Sequence, residues 1–437
     1  MTSRVFPLTR RRLLTGLAGV ALGPPIPPAA AQGPVTLALQ VAPGIAALPG
    51  QPSTPVWSLR TPMREGELRF RRADRVEVAL SNDLPAPMVL NWPGIDGVAA
   101  AEPLAGRSAL APGGKDAFAL LLRHAGTFSI NLWPLGDGEI HPSAARALIV
   151  AESEPLAIDR DETVLVEDWR LRADGRAIAP GVATQDSTRL FTANGRASID
   201  IAARTHQRMR LRFINACQRN GIAIKIEEHD IRVMAIDSQP SEPFLARNGQ
   251  LVLAPGTRID GFVDAIRPPG STSSILLHDG TEPRQIGRLV YSAEGPVRDA
   301  PLAVPAPLPS NGLPSRLDLK NALRVDVTLG PGSDWVAPTA FAMTSTPAFR
   351  TKPGRTVVLA LTNRGAIPTV FRLHGHHFRL LDRLDDGWKP FWLDTLAIDA
   401  GQTQRIAFAV EYVGRWLIES FATDWAAPRL VRWYSVE

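Results

Sequence analysis

Val76-Glu77-Val78-Ala79-Leu80-Ser81-Asn82 alternates apolar and other residues and then stops at an asparagine. Two later stretches repeat the pattern, Met209-Arg210-Leu211-Arg212-Phe213-Ile214-Asn215 and Val357-Val358-Leu359-Ala360-Leu361-Thr362-Asn363. A period of two marks a strand with one buried face. Each copy is followed by a further strand, Met88-Val89-Leu90-Asn91, Ile222-Ala223-Ile224-Lys225-Ile226 or Val370-Phe371-Arg372-Leu373. Each then reaches a glycine turn, at Leu110-Ala111-Pro112-Gly113, Leu253-Ala254-Pro255-Gly256 and Ile398-Asp399-Ala400-Gly401, glycine being the residue that takes positive φ without strain. The asparagines are 133 and 148 positions apart and the glycines 143 and 145, so the copies keep step over a domain length.

Three repeats of one unit are the economical reading of this spacing. Short strands cut by Pro, Gly and Asn turns, without a long helical period, predict an all-β chain of three consecutive Greek-key β-sandwich or barrel domains. The expected domains are 34–152, 157–295 and 315–437, with 296–314 as a proline-rich connector, extended and semi-rigid. A chain of 437 residues is long enough for two or three such cores.

The first residues join a basic start, Thr9-Arg10-Arg11-Arg12-Leu13-Leu14, to a weakly apolar run and the small-residue site Ala29-Ala30-Ala31. This pattern predicts a signal peptide over 1–31, of twin-arginine type, and a periplasmic mature protein. Residues 1–31 hold four arginines and no acids, so the net charge of +5 falls to +1 on their removal. A nearly neutral chain argues against a nucleic-acid surface, and no later apolar run reaches the roughly 18 residues of a membrane anchor. Cys217 is the only cysteine, which excludes an intrachain disulfide.

The third domain carries Leu373-His374-Gly375-His376-His377-Phe378, then Asp394-Thr395 and Gly414-Arg415-Trp416-Leu417-Ile418. The first domain carries Asn91-Trp92-Pro93-Gly94 with Asp96-Gly97-Val98, and Gly126-Thr127-Phe128-Ser129-Ile130-Asn131-Leu132-Trp133. These motifs resemble the framework of the multicopper oxidases, built from cupredoxin-like domains. The resemblance spans nearly all of the expected mature chain and implies copper ligands at Asn91, Pro93, Asn131, Trp133, Thr369, Arg372, His374, Glu419, Ser420, Phe421 and Trp425. Of these only His374 is a histidine. The soft thiolate of an electron-transfer copper and the clustered imidazoles of an oxygen-reducing centre are therefore both missing from the pattern. The eight histidines of the whole chain are too few for a full ligand set.

The expectation is a family member without copper sites, hence no catalytic residues and no cofactor. It resembles the copper-free periplasmic branch of the family, which implies a scaffold that binds other periplasmic or envelope proteins, with a role in division or envelope upkeep. Two other functions stay open. One is a copper-dependent oxidoreductase using His374, Glu419 and Asn131. The other is a small-molecule binder whose emptied interdomain cleft uses Arg372 and Glu419. His374, His376 and His377 with Glu419 are also a candidate zinc or copper site, although strand geometry would send His377 to the opposite side. Trp133, Phe421 and Trp425 are large enough to fill space left by imidazole and metal. His124, His141, His206, His229 and His278 read as histidines in local hydrogen bonding, and Cys217 as a small core residue.

Overall fold

The computed structural model describes residues 35–63, 67–135, 140–330, 334–382 and 387–437. The expected signal peptide lies outside the described residues. Regular structure is almost entirely β-strand, with three single-turn 3₁₀ segments among the described residues. Among the described residues no helix is long and apolar enough to cross a membrane.

Six sheets form three pairs, and each pair draws its strands from one stretch of chain. The three asparagine-ended strands, Arg75–Asn82, Arg208–Asn215 and Thr356–Asn363, hold the same place in each pair. Each lies parallel to the strand that opens its unit, with Val41 opposite Asn82, Val166 opposite Asn215 and Leu329 opposite Asn363. On its other edge each runs antiparallel to the strand after the glycine turn. The chain is thus three consecutive cupredoxin-like sandwiches, each built around its own apolar cluster.

The asparagines recur because their side chains tie three loops together. Asn82 Nδ2 donates to the carbonyls of Ala86 and Leu110, Asn215 Nδ2 to those of Asn220 and Leu253, and Asn363 Nδ2 to those of Ile367 and Ile398. Each Oδ1 accepts the N–H two residues on, from Leu84, Cys217 and Gly365. The turn glycines donate their N–H back to the same asparagines' carbonyls while holding φ of 70°, 93° and 72° at Gly113, Gly256 and Gly401. A buried amide with all its partners is stable only in this one geometry.

One strand departs from its pattern. Arg75–Asn82 keeps one buried face, whereas Arg208–Asn215 is buried on both. Its outward arginines meet acids instead of water. Arg208 pairs with Asp264 at 2.7 Å, Arg210 with Asp260 at 2.5 Å and Glu152 at 2.8 Å, and Arg212 with Asp161 at 2.6 Å. Arg212 also donates to Thr127 Oγ1 of the first unit at 2.8 Å, so this face is an interface between units.

The stretch 296–314 forms no strand and runs as irregular chain with bends at 297–300. Arg208 donates to the carbonyls of Leu302 and Ala303, and Leu308 packs with Met234, Ala235 and Phe262. Asn311 is buried, donating to the carbonyls of Ala125 and Ser238 and accepting the Ala125 N–H. The connector therefore wraps the second unit and stitches it to the first.

Candidate functional site

Thr369–Leu373 lies in a sheet between Thr395–Ile398 and Gly414–Ala422, and every residue of it is buried. Register sets Arg372 opposite Glu419 and Val370 opposite Phe421. In the first unit Asn91 stands opposite Asn131, and Val89 opposite Trp133. The two sheets meet at Glu419.

The Glu419 carboxylate is fully buried and accepts from Asn91 Nδ2 at 2.9 Å, His374 Nε2 at 2.6 Å and Arg372 Nη1 at 3.3 Å, and also from Arg429. His374 Nδ1 lies 2.8 Å from Glu102 Oε1, which also accepts the Leu417 N–H at 2.9 Å. Burial alone would strip His374 of its proton, but the two flanking carboxylates hold its pKa up at about 9. Burial likewise opposes charge on Glu419, yet Arg372, Arg429 and His374 bring its carboxyl well below the usual range. His374 is consequently an imidazolium bridging a first-unit and a third-unit carboxylate, with both ring nitrogens donating.

Aromatic rings wall this cluster. The Arg429 guanidinium sits 4.8 Å from the Trp133 ring and 4.9 Å from the Phe421 ring, and the Arg219 guanidinium sits 5.1 Å from the Phe421 ring. Such stacking is favourable where cations have lost water. Beside the wall opens a cleft of about 240 Å³, bounded by Trp133, Leu135, Pro180, Arg219, Pro338 and Arg429 among others. A smaller cavity beneath it is lined by Asn131, Cys217, Arg372, Phe421 and Arg429.

Asn91, Trp133, Arg372, His374, Glu419 and Phe421 therefore converge, with Asn131 beside them. Arg372 and Glu419 pair with one another instead of standing free for a ligand. Pro93 is buried one residue before Gly94, where a Cβ would collide with the Arg258 and Asp394 side chains. Thr369 pairs across the sheet with Ala422 and Ile398, and Ser420 is buried without a partner for its Oγ. Trp425 lies apart from the Glu419 cluster, its indole donating to the Ala179 carbonyl at 3.1 Å. Cys217 is buried, and burial pushes its thiol well above the ordinary value.

The three clustered histidines of the sequence part company. The strand ends at Leu373 and Gly375 turns with φ of 75°, so the alternation expected of a strand does not continue. His376 goes into the third core, where its Nδ1–H donates to Tyr434 Oη at 2.8 Å and its Nε2 accepts the N–H groups of Glu411 and Tyr412. The Tyr434 hydroxyl donates onward to the His374 carbonyl at 2.6 Å, which fixes that tautomer. Burial lowers the pKa of His376 to about 4.

His377 enters a second ionic cluster, at the junction of all three units. Its Nδ1 lies 2.5 Å from Asp96 Oδ2, and its Nε2 donates to the Asp237 carbonyl at 2.7 Å. Against the pull of burial, the Asp96 charge holds the His377 pKa up at about 9. Nearby, Arg258 grips Asp394 through two bonds of 2.9 and 2.5 Å. Burial and the Asp394 charge push Asp237 up, and its Oδ2 accepts the N–H groups of Asp394 and Thr395. His124, lowered to about 4 by burial, accepts from Gln239 Nε2 at 3.0 Å. Asp96, His124 and His377 offer ligand atoms within 4.8 Å of one another, but both nitrogens of His377 are already engaged.

Reading the sequence missed Glu102, Arg219, Arg429, Asp237 and Arg258, and left His124 as an isolated histidine. Asp96 and Asp394 stood inside the quoted motifs, as acids in otherwise apolar surroundings.

Multicopper oxidase family models match residues 161–273 and 316–437, together more than half of the chain. A multi-copper oxidase from Pseudomonas Thermotolerans superposes with a TM-score of 0.77 at 24% identity, covering 92% of this chain and 100% of that one. McoA multicopper oxidase from the hyperthermophile Aquifex aeolicus gives 0.75 at 14% identity, over 92% and 96%. Fet3p, a multicopper oxidase that functions in iron import, gives 0.70 at 16% identity, over 92% and 90%. No curated protein matches. The chain belongs to the multicopper oxidase superfamily.

Proposed function

We propose that this member of the superfamily has lost its copper sites and works, without turnover, as an exported binding protein of the cell envelope. The observation that carries the reading is the state of His374. Copper needs an imidazole lone pair, and both nitrogens of His374 donate to carboxylates, Glu102 and Glu419. The positions around it hold Asn91, Trp133, Arg372 and Phe421, two of them without any donor for a metal and one a cation. A metal ion would also sit among the guanidiniums of Arg372 and Arg429. These residues do not fit copper, and no oxidation step is assigned to them.

The reading takes 34–152, 157–295 and 315–437 as the domains and 1–31 as a twin-arginine signal. Binding of other envelope proteins is supported by Phe244, Leu245 and Val252, exposed apolar residues on the edge strands Gln239–Leu245 and Gln250–Leu253. The test is elemental analysis and a visible spectrum of the mature protein after incubation with excess copper and removal of the unbound metal. Expected are copper well below one equivalent and no colour. Stoichiometric copper with a blue band would overturn the reading.

A further inference from the structure

The cleft beside Trp133 has a charge left over. Arg219 is 2% exposed, yet it forms no ion pair among the described residues, its Nη atoms donating only to the carbonyls of Gln218 and Ala427. Its Nε has no hydrogen-bond partner. Asp168, Glu419 and Asp424 act on it only through space, while Arg429 repels it. Around Phe421 stand Arg219, Arg372 and Arg429, with His374 close by, against Glu419 and Glu102. Buried cations in excess of their carboxylates require a counterion or a large desolvation cost.

Apart from Arg219 and Arg429 the cleft is lined mainly by apolar groups, Leu132, Leu135, Pro180 and Pro338 among them, with His141, Ser143, Gln218 and Thr339 as its other polar residues. At about 240 Å³ it is smaller than the roughly 300–1,000 Å³ of a drug-sized site, which suits one ring bearing one acid group. Trp133 Nε1, on the same wall, is a buried donor without a partner.

We propose that this cleft binds a small organic carboxylate, its acid group pairing with Arg219 and its ring or short chain lying between Trp133 and the proline walls. Guanidinium matches a carboxylate in a two-bond fork. The inference rests on the copper-free reading, since a metal centre at Glu419 would rearrange the same arginines.

Benzoate and benzamide, equal in shape and different in charge, are the probes, titrated calorimetrically into the mature protein with its copper content measured on the same sample. Benzoate is expected to bind saturably, benzamide roughly 10- to 100-fold more weakly, as loss of a charged hydrogen bond implies. Arg219→Gln should weaken benzoate by a similar factor. Leu135→Trp, which fills the cleft and leaves every charge in place, should abolish binding even if the arginine variant fails to fold. Equal binding of the two probes, or no saturable benzoate binding into the millimolar range in copper-free protein, overturns the proposal. Copper-loaded protein would instead overturn the reading beneath it.

Discussion

Two buried ionic clusters lie at the junctions between units, and they balance their charge differently. Around Arg258 the cations Arg258 and His377 meet Asp394 and Asp96, with Asp237 pushed towards its neutral form. Around Glu419 the cations Arg372, Arg429 and His374 share Glu419 and Glu102, and Arg219 adds a further charge. The first cluster is closed on all sides, and the second adjoins a cleft. A sealed cluster in which every cation meets a carboxylate fixes how units pack, whereas one with a cation left over beside a cleft is arranged to receive something of opposite charge.

The sharpest way to break the contrast is to unbalance the closed cluster. Arg258→Met leaves Asp394 and Asp96 facing each other with one cation fewer, in a site where Asp237, Arg258 and Asp394 are wholly buried. Removing one partner from such a pair costs about 3–5 kcal/mol. Urea unfolding of the variant should show that loss, and a cost under about 1 kcal/mol would mean that water reaches the cluster. Glu419→Gln is expected to cost less, about 2–3 kcal/mol, because His374 can then give up its proton and relieve part of the imbalance.

Titration separates the histidines the same way. His374 and His377, raised to about 9, add stability that is complete below the ordinary pKa of 6.5 and is lost as pH climbs through 9. His124 and His376, lowered to about 4, behave oppositely, favouring the folded state above 6.5 and costing stability as pH falls towards 4. The histidine contribution should therefore peak near pH 6.5, and each limb is worth on the order of a few kcal/mol. Imidazole resonances followed by NMR would check the assignment, two titrating above pH 8 and two below pH 5. Four histidines titrating near 6.5 would dissolve the distinction between charged and neutral sites.

How much of this was legible in the sequence follows from how local each feature is. The asparagine-ended strands and glycine turns could be read because each tie closes within one unit, as when Asn363 reaches Ile367 and Ile398. The burial of Arg208–Asn215 on both faces could not, because the acids that neutralise its arginines come from three other stretches of chain. His374, Arg372 and Glu419 were found through the family framework, but their partners Glu102 and Asn91 belong to another unit. His377 and Asp96 are 281 positions apart, and nothing in either segment alone announces the pair.

The smallest expected effect is the most telling for the comparison. Arg219→Gln removes a buried arginine just as Arg258→Met does, yet no carboxylate is left behind without a partner, because none pairs with Arg219. What is lost is two bonds to backbone carbonyls and a stack on Phe421, and what is relieved is the cost of keeping an unpaired cation out of water. Glutamine can still donate to one of the two carbonyls. The two effects oppose each other, so unfolding free energy should change by less than about 1 kcal/mol in either direction. A loss as large as that for Arg258 would show that Arg219 is a structural charge already neutralised, and that the two clusters are of one kind.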